Sequence, residues 1–228
     1  MLVNMGRVFK QTALQFAENP AVINIERARR FTYARMHELT NRLSHALKHR
    51  FGLRRGDFYA TILDNDNMAL FHPWMLTSPV GAAWIDVRDS VGEQLSRINQ
   101  AGPKLIFLEN RLLPSLYEHL QASKINLVVM DRPEKSRPGV YDFWDLVEQA
   151  AAVEVEEEFA ADSTSKHISV LRFTGGTTGR AKCAKYTLSN LWIWGCNPAH
   201  YYETFPFEHP GALFFSPLHH AASGSVVI

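Results

Sequence analysis

The stretch ISVLRFTGGTTGRAKCAKYT, residues 168–187, places a glycine- and threonine-rich loop between two segments with strand character. Ile168–Phe173 is a short, largely apolar run, and the residues after Lys182 again favour a strand over a helix. Three glycines between them allow backbone conformations that are closed to other residues, so successive N–H groups can turn inward as a nest for anions. The stretch therefore predicts a hairpin whose loop can hold a polyphosphate.

The loop offers three hydroxyl groups, three glycines and a cation as candidate ligands for an anion. They are Thr174, Gly175, Gly176, Thr177, Thr178, Gly179 and Lys182, with Arg180 as a second cation. The pattern differs from the Walker A loop, because Gly179 is followed by Arg180 and Ala181 rather than by Lys and Ser or Thr. It also lacks the G-x-G-x-x-G of dinucleotide-binding folds. From the residues alone, a polar connecting loop without a ligand remains the alternative.

Upstream of this stretch, short apolar strands alternate with helices. The predicted strands are residues 58–63, 81–85, 104–108 and 127–130, and the predicted helices are 67–77, one that begins after Ser90, 112–122 and 141–151. Ser90 and Glu93 have the spacing of a capping box. This alternation predicts an α/β fold with a doubly wound, mainly parallel sheet and helices on both faces.

The N-terminal residues predict two helices around a hairpin. The helices cover residues 5–18 and 33–48, with Thr32 as the N-cap of the second and Gly52 after its end. Between them, residues 21–25 and 30–32 form the predicted hairpin with residues 26–29 as its turn, and Arg27, Arg29 and Arg30 lie in or next to this turn. These arginines suit either an anion-binding patch or a solvated turn, and the solvated turn is the favoured interpretation.

The predicted organisation has four parts. Residues 1–50 hold the N-terminal helices and hairpin, 51–152 the parallel α/β subdomain, 153–166 an acidic linker, and 167–228 the loop hairpin with the start of a second subdomain. The linker, VEVEEEFAADSTSK, is assigned from its run of glutamates and its lack of apolar periodicity.

Composition excludes several classes of protein. The 228 residues carry 24 Lys plus Arg against 23 Asp plus Glu, so no basic excess points to a nucleic-acid partner. No apolar run is long enough for a membrane span. Two cysteines cannot form a disulfide framework and predict a cytoplasmic protein with reduced thiols, Cys183 being a small semi-buried filler rather than a reactive group. His219 and His220 lack further ligands at metal-binding spacing, so no metal site is predicted.

The segment FTGGTTGRAK, residues 173–182, closely resembles the signature of the adenylate-forming (AMP-binding) superfamily, which includes acyl-CoA synthetases, luciferases and the adenylation domains of peptide synthetases. Three other segments resemble family motifs in the same order. They are FTYARMHELTNRLSHAL at 31–47, the segment 51–87, and FFSPLHHAASG at 214–224. The double glycine Gly175-Gly176 is most similar to fatty acyl-CoA synthetases.

The resemblance implies a ligase that uses ATP, Mg²⁺ and CoA. A carboxylic acid, here a fatty acid, would react with ATP to give an acyl-adenylate and pyrophosphate, and the acyl group would pass to the CoA thiol. By resemblance, the residues from Thr174 to Gly179 hold the ATP phosphates, and Lys182 is a mobile counter-charge. His220 matches a family position that shapes and gates the acyl pocket.

The last residues, 211–228, form an apolar run, and the recognised motifs stop before the later motifs of the family. We therefore expect an N-terminal part of a larger ligase, with little or no ligase activity in the isolated chain. One alternative is a non-catalytic binding or assembly module that pairs with a separate C-terminal part, with a homo-oligomer through the exposed apolar face as a variant. Another is an unrelated phosphate-binding α/β protein.

Overall fold

The computed structural model describes residues 5–71, 80–155, 168–174, 181–191, 193 and 218. The N-terminal part contains helix α1, strands β1 and β2, and helix α2. Their bounds are Met5–Gln15, Pro20–Asn24, Arg29–Thr32 and Tyr33–His45. The two strands pair antiparallel, which confirms the predicted hairpin.

Local signals place the ends of α2 as the sequence predicts. The Thr32 hydroxyl accepts a hydrogen bond from the Arg35 N–H at 3.2 Å, which satisfies one of the donors that a helix start leaves unpaired. One wider, π-helical turn, Ala46–Arg50, continues the helix. Gly52 then takes the left-handed conformation, with φ of 63°, in which a side chain would be strained.

The remaining strands form a seven-stranded sheet. They are β3 Phe58–Ile62, β4 Gly81–Trp84, β5 Leu105–Leu108, β6 Asn126–Val129, β7 Val140–Asp142, β8 Ile168–Phe173 and β9 Cys183–Thr187. Their order is β7-β6-β5-β3-β4-β8-β9. All neighbours are parallel except β8 and β9, which pair antiparallel. The predicted mainly parallel α/β fold is confirmed, and the two strands beyond the predicted linker extend the same sheet beside β4.

Helices follow most of these strands. They are α3 Asn65–Met68, α4 Val91–Ala101, α5 Leu113–Gln121 and α6 Phe143–Gln149. The predicted capping box opens α4, where the Ser90 hydroxyl accepts from the Glu93 N–H and the Glu93 carboxylate accepts from the Ser90 N–H. The sequence predicts a helix over residues 67–77. Helix α3 begins two residues before this range, at Asn65, and residues 72–79 lie outside the described part.

The prediction of one helix over residues 141–151 was wrong at its start. Val140–Asp142 is strand β7, which pairs parallel with β6. The Leu127 N–H donates to the Gly139 carbonyl oxygen at 2.8 Å, so sheet pairing holds the chain extended up to Asp142. The Asp142 side chain then accepts from the Asp145 N–H at 2.8 Å and caps α6.

Both faces of the sheet are buried, as parallel sheets require. One face, which includes Tyr59, Trp84 and Phe107, packs under α2 and α6. The opposite face, which includes Ile62 and Leu108, packs under α4 and α5. The chain therefore forms helix, sheet and helix layers around two apolar clusters.

The strand order reverses next to β3. After β3 the chain forms β4 on one side, and then crosses to β5 on the other side before it continues outward to β6 and β7. In open α/β sheets, ligands bind outside the carboxyl ends of the strands at such a switch point. The loops after β3 and β5 are therefore candidate positions for functional residues, as is the loop between β8 and β9.

Candidate functional site

The hairpin of β8 and β9 carries the two described residues at the base of the glycine-rich loop. Phe173 pairs with Cys183 as the last cross-strand pair, and the Thr174 N–H donates to the Lys182 carbonyl oxygen at 2.9 Å. The predicted hairpin is confirmed. Thr174 and Lys182 thus close a loop of seven residues, at the carboxyl end of a buried strand in the parallel sheet.

The Thr174 hydroxyl also joins the two sides of this loop. It accepts a hydrogen bond from the Lys182 N–H at 3.2 Å and donates one to the Lys182 carbonyl oxygen at 3.4 Å. Both side chains are exposed to solvent. The structure therefore gives Thr174 a role in closing the loop, beside the phosphate contact that the resemblance implies.

The other predicted loop residues lie outside the described residues. They are Gly175, Gly176, Thr177, Thr178, Gly179 and Arg180, and the same holds for His219 and His220. Their ligand roles stay predictions.

Arg172, directly before this loop, is a buried cation that the sequence analysis missed. Its guanidinium lies over the Trp84 ring at 4.3 Å from the centroid and over the Tyr186 ring at 5.5 Å. Burial lowers the pKa of Arg172 to about 10. The two rings offset part of this desolvation cost, because an aromatic face attracts a cation. Arg172 thereby links β8 to β4 and β9. The only sign of this role in the sequence is a charged residue within an apolar strand.

Cys183, at the start of β9, packs against the apolar cluster under α4 and α5. Burial raises the pKa of its thiol, although the charge of Lys185 lowers it. A raised pKa reduces the thiolate that makes a cysteine nucleophilic. This environment agrees with the interpretation of Cys183 as a semi-buried filler.

A network of charged groups fills the switch point, and we call it the switch-point cluster: Arg27, Asp66, Asn67, Glu109 and Asp131. Glu109 is only 3% exposed and accepts from the Asn67 carboxamide at 2.8 and 3.1 Å. Arg27 pairs with Glu109 at 3.2 Å, with Asp131 at 2.9 Å and with Asp66. These side chains thus pair with one another beside the carboxyl ends of β3, β5 and β6.

The charges in this cluster shift one another's pKa values. Burial raises the pKa of Glu109, although the hydrogen bonds from Asn67 and from the Asp64 N–H lower it. Burial lowers the pKa of Arg27, but the Asp131 hydrogen bond and the charges of Asp66 and Glu109 outweigh this and leave it above its ordinary value.

The interpretation of the arginine turn as solvated was wrong for Arg27 and Arg29, and neither is available as an open anion patch. Arg29 pairs with Asp131 at 3.2 Å and lies over the Trp144 ring at 5.2 Å from its centroid. Asp131 is more than 100 residues further along the chain, so local sequence gave no sign of the pairing.

Leu218 is the described residue of the predicted Pro-Leu-His-His segment. It is 4% exposed and belongs to the apolar cluster under α2 and α6. Its N–H donates to the Asn65 Oδ1 at 2.8 Å, which joins Leu218 to the first residue of α3.

The described part of the chain contains no group of three or more His, Cys, Asp or Glu side chains that could hold a metal ion. Among its helices, none combines the length and apolar character that crossing a membrane requires.

The chain matches a family model and several known proteins. The family model described as AMP-binding enzyme matches residues 9–228. Long-chain fatty acid transport protein 6 of Mus musculus is 25% identical over 189 residues, which cover 78% of this chain and 30% of that protein. The 4-coumarate–CoA ligase-like 3 protein of Arabidopsis thaliana is 24% identical over 236 aligned positions, which cover 91% of this chain and 39% of that protein.

Solved structures with the same fold include two CoA ligases. O-succinylbenzoate CoA synthetase from Bacillus subtilis, in complex with its acyl-adenylate intermediate, has a TM-score of 0.74 at 22% identity and covers the whole chain. A putative long-chain fatty acid CoA ligase from Rhodopseudomonas palustris has a TM-score of 0.80 at 18% identity and covers 99% of it. The chain spans 53% and 54% of these two proteins, and less than two fifths of the two curated relatives.

Proposed function

The chain belongs to the family of AMP-binding enzymes, and on that premise we propose that it is the N-terminal, ATP-handling part of an acid–thiol ligase. The observation that carries the proposal is the loop between β8 and β9, closed by Thr174 and Lys182 at the carboxyl end of a parallel strand. Its glycines and threonines supply N–H and O–H donors, and Lys182 is an exposed cation at the loop's base.

The reaction has two steps. A carboxylate oxygen attacks the α-phosphorus of ATP, the bond to the β-phosphate oxygen breaks, and pyrophosphate leaves with the electron pair. The thiol sulfur of CoA then attacks the acyl carbonyl carbon and loses its proton, and AMP leaves. Most of the protein's contribution to such a phosphoryl transfer is positioning and stabilisation of charge.

Within this scheme the loop binds the β- and γ-phosphates. Thr177, Thr178 and the glycine N–H groups donate hydrogen bonds, Thr174 keeps the loop closed, and Lys182 neutralises phosphate charge. His220 borders the acyl pocket. Mg²⁺ would accompany the phosphates and neutralise part of their charge; the described residues hold no cluster of three or more His, Cys, Asp or Glu side chains that could bind it without the phosphates.

We propose a fatty acid as the carboxylate. Gly175-Gly176 supports this choice, as do the mouse and rat relatives that are named long-chain fatty acid transport proteins. The named substrates of the other relatives differ, because one is a 4-coumarate–CoA ligase-like protein and another an acetoacetyl-CoA synthetase. Binding of palmitate, 4-coumarate and acetoacetate in the presence of ATP compares the three classes directly.

ATP titration of the 228-residue chain tests the loop. We expect Lys182→Ala to weaken ATP binding about tenfold or more, since a hydrogen bond to a charged group contributes about 1.5–3 kcal/mol. Lys185→Ala is the matched control, because Lys185 is an exposed lysine on β9 of the same hairpin. Equal affinities of wild type and Lys182→Ala would contradict the loop's role.

We expect little or no ATP–pyrophosphate exchange from the isolated chain with fatty acids, because the chain spans about half the length of the ligases it resembles. Robust exchange would overturn this part of the proposal. Cytoplasmic location and self-association also stay predictions, and light scattering of the purified chain measures the second.

A further inference from the structure

A cleft of about 350 Å³ lies between the turn after β5 and the loop after β6. One wall comes from residues between 110 and 114, which lead into α5, and the other from residues between 133 and 137. The cleft is partly open to solvent. Its volume falls at the lower end of the range for small-molecule sites, so it has room for a compact ligand.

Hydrogen bonds hold the two walls of this cleft together. The Asn110 carboxamide donates to the Asp131 carbonyl oxygen at 2.6 Å and accepts from the Asp131 N–H at 2.9 Å. Further along α5, the Tyr117 hydroxyl donates to the Pro138 carbonyl oxygen at 3.2 Å. These bonds fix both ends of the loop after β6 to the opposite wall. The cleft is therefore formed before a ligand arrives, which lowers the entropic cost of binding.

Three cations line the cleft together with one carboxylate. They are Arg111, Lys135 and Arg137, and the carboxylate is Glu134. The Arg137 guanidinium lies over the Tyr117 ring at 4.8 Å from its centroid, which restricts its orientation. Arg111 donates to both oxygens of Asp64, at 2.9 and 3.2 Å, through Nη2. Lys135 is exposed and has no ion pair within the described part of the chain.

The charge of the lining favours a phosphate group. Its three cations and one carboxylate leave two positive charges, whereas the whole chain carries 24 Lys plus Arg against 23 Asp plus Glu. A phosphate monoester carries about two negative charges at neutral pH. The guanidinium of Arg137 can donate to two phosphate oxygens at once, and Lys135 adds a point charge.

The same cleft has an apolar part, formed by Leu113, Pro114 and Pro133. Leu113 and Pro114 are also the first residues of α5, and the start of a helix adds to the attraction for an anion. Free inorganic phosphate has no apolar surface to place against these side chains. A phosphate that carries an organic group therefore fits the lining better than the free ion does.

We propose that this cleft binds a phosphate monoester of a small organic molecule. The phosphate is held by Arg137 and Lys135, and the organic group packs against Leu113, Pro114 and Pro133. Three strand spacings, roughly 14 Å, separate β5 from β8, so the cleft and the loop between β8 and β9 are different sites. The proposal does not depend on the proposed function, and either one can fail alone.

Titration of the 228-residue chain with phenyl phosphate and with inorganic phosphate, followed by amide NMR shifts, tests the site. We expect saturable shifts at Lys135 and Arg137, with phenyl phosphate binding about tenfold more tightly because its ring buries apolar surface. Shifts at Thr174 and Lys182 alone, or no saturation below about 10 mM, overturn the proposal. Equal affinities would assign the cleft to inorganic phosphate and overturn the organic part.

Charge variants identify the groups that hold the phosphate. We expect Arg137→Gln to weaken phenyl phosphate about tenfold and Lys135→Gln about threefold, since Lys135 is the more exposed cation. Glu134→Gln removes the carboxylate of the lining and should strengthen binding about twofold. A variant that loses structure cannot bind more tightly, so this gain separates charge in the cleft from damage to the fold.

Arg132→Gln is the matched control. Arg132 belongs to the same loop, its side chain is 84% exposed, and it does not line the cleft. This variant should change the affinity for phenyl phosphate less than about twofold, because water and salt screen a charge outside the cleft. A loss equal to that of Lys135→Gln would show general attraction by the loop and overturn the proposal, as would unchanged affinity in both Lys135→Gln and Arg137→Gln.

Discussion

Asp89 and Arg97 show how one partly buried pair makes stability depend on pH. They lie on the loop after β4 and on α4, and their side chains form an ion pair in which each is 13% exposed. Burial raises the pKa of Asp89 to about 6; Arg97 opposes this shift, and the charges of Asp86 and Glu93 contribute to it. Ionised Asp89 is therefore less favourable in the folded chain than in the unfolded chain.

The sign of the resulting pH effect follows from proton binding. Between about pH 4 and pH 6 the folded state holds a proton on Asp89 that the unfolded state has lost, so this group's contribution to the free energy of unfolding falls as pH rises. We expect the stability difference, wild type minus Asp89→Asn, to be smaller at pH 7 than at pH 4.5. Urea unfolding at both pH values measures it. A difference that grows with pH would show that the Arg97 pairing outweighs burial.

At Gly81, the first residue of β4, the neighbouring strands leave no room for a side chain. A Cβ there would lie 2.3 Å from the Phe58 ring and 2.8 Å from the Ile168 carbonyl oxygen. Phe58 belongs to β3 and Ile168 to β8, the two neighbours of β4. Glycine is required at this position because three strands approach closely, and the backbone carbonyl cannot rotate away as a side chain can.

We expect Gly81→Ala to lower the free energy of unfolding by about 1–3 kcal/mol, the range for overpacking a core. Gly92→Ala in α4 is the matched control, because a Cβ there meets nothing within 4 Å. It should leave stability unchanged or raise it by about 0.5 kcal/mol, since alanine favours the helix. Chemical unfolding of both variants gives the comparison, and equal effects would contradict the close approach at Gly81.

At the scale of the whole molecule, the switch-point cluster fastens the N-terminal hairpin to the sheet. Arg27 comes from the turn between β1 and β2, while Glu109 and Asp131 follow β5 and β6. The pair between Arg27 and Glu109 brings together side chains that are 26% and 4% exposed. A carboxylate this deeply buried needs its partners, because an unpaired charge is costly away from water.

A double-mutant cycle measures this connection. We expect Glu109→Ala to lower the free energy of unfolding by about 3 kcal/mol, because it leaves the Asn67 carboxamide and the Asp64 N–H without their buried acceptor and removes one of the three partners of Arg27. Arg27→Ala should cost less once Glu109 is already absent, with a coupling of about 1 kcal/mol or more. Additive losses would show that the hairpin and sheet are independent at this point.

The features that could be predicted best from the sequence are those that depend on residues close together in the chain. The N-cap Thr32, the capping box of Ser90 and Glu93 and the hairpin around the glycine-rich loop all rest on contacts within about twenty residues. Strand β7 was missed because its three residues run directly into a helix, and only pairing with β6 makes them extended.

The sequence by itself determined the α/β class, the parallel strands and the loop that identifies the family, because apolar periodicity, caps and glycine spacing act locally. Only the tertiary structure decided that Arg27 pairs with Glu109 and Asp131, that Arg172 lies over the Trp84 and Tyr186 rings, and that Asn65 accepts a hydrogen bond from Leu218. These contacts join residues that the strand order, rather than the spacing along the chain, brings within hydrogen-bonding or stacking distance. Local pattern therefore specified which elements form, and the packing of the sheet specified which side chains meet between them.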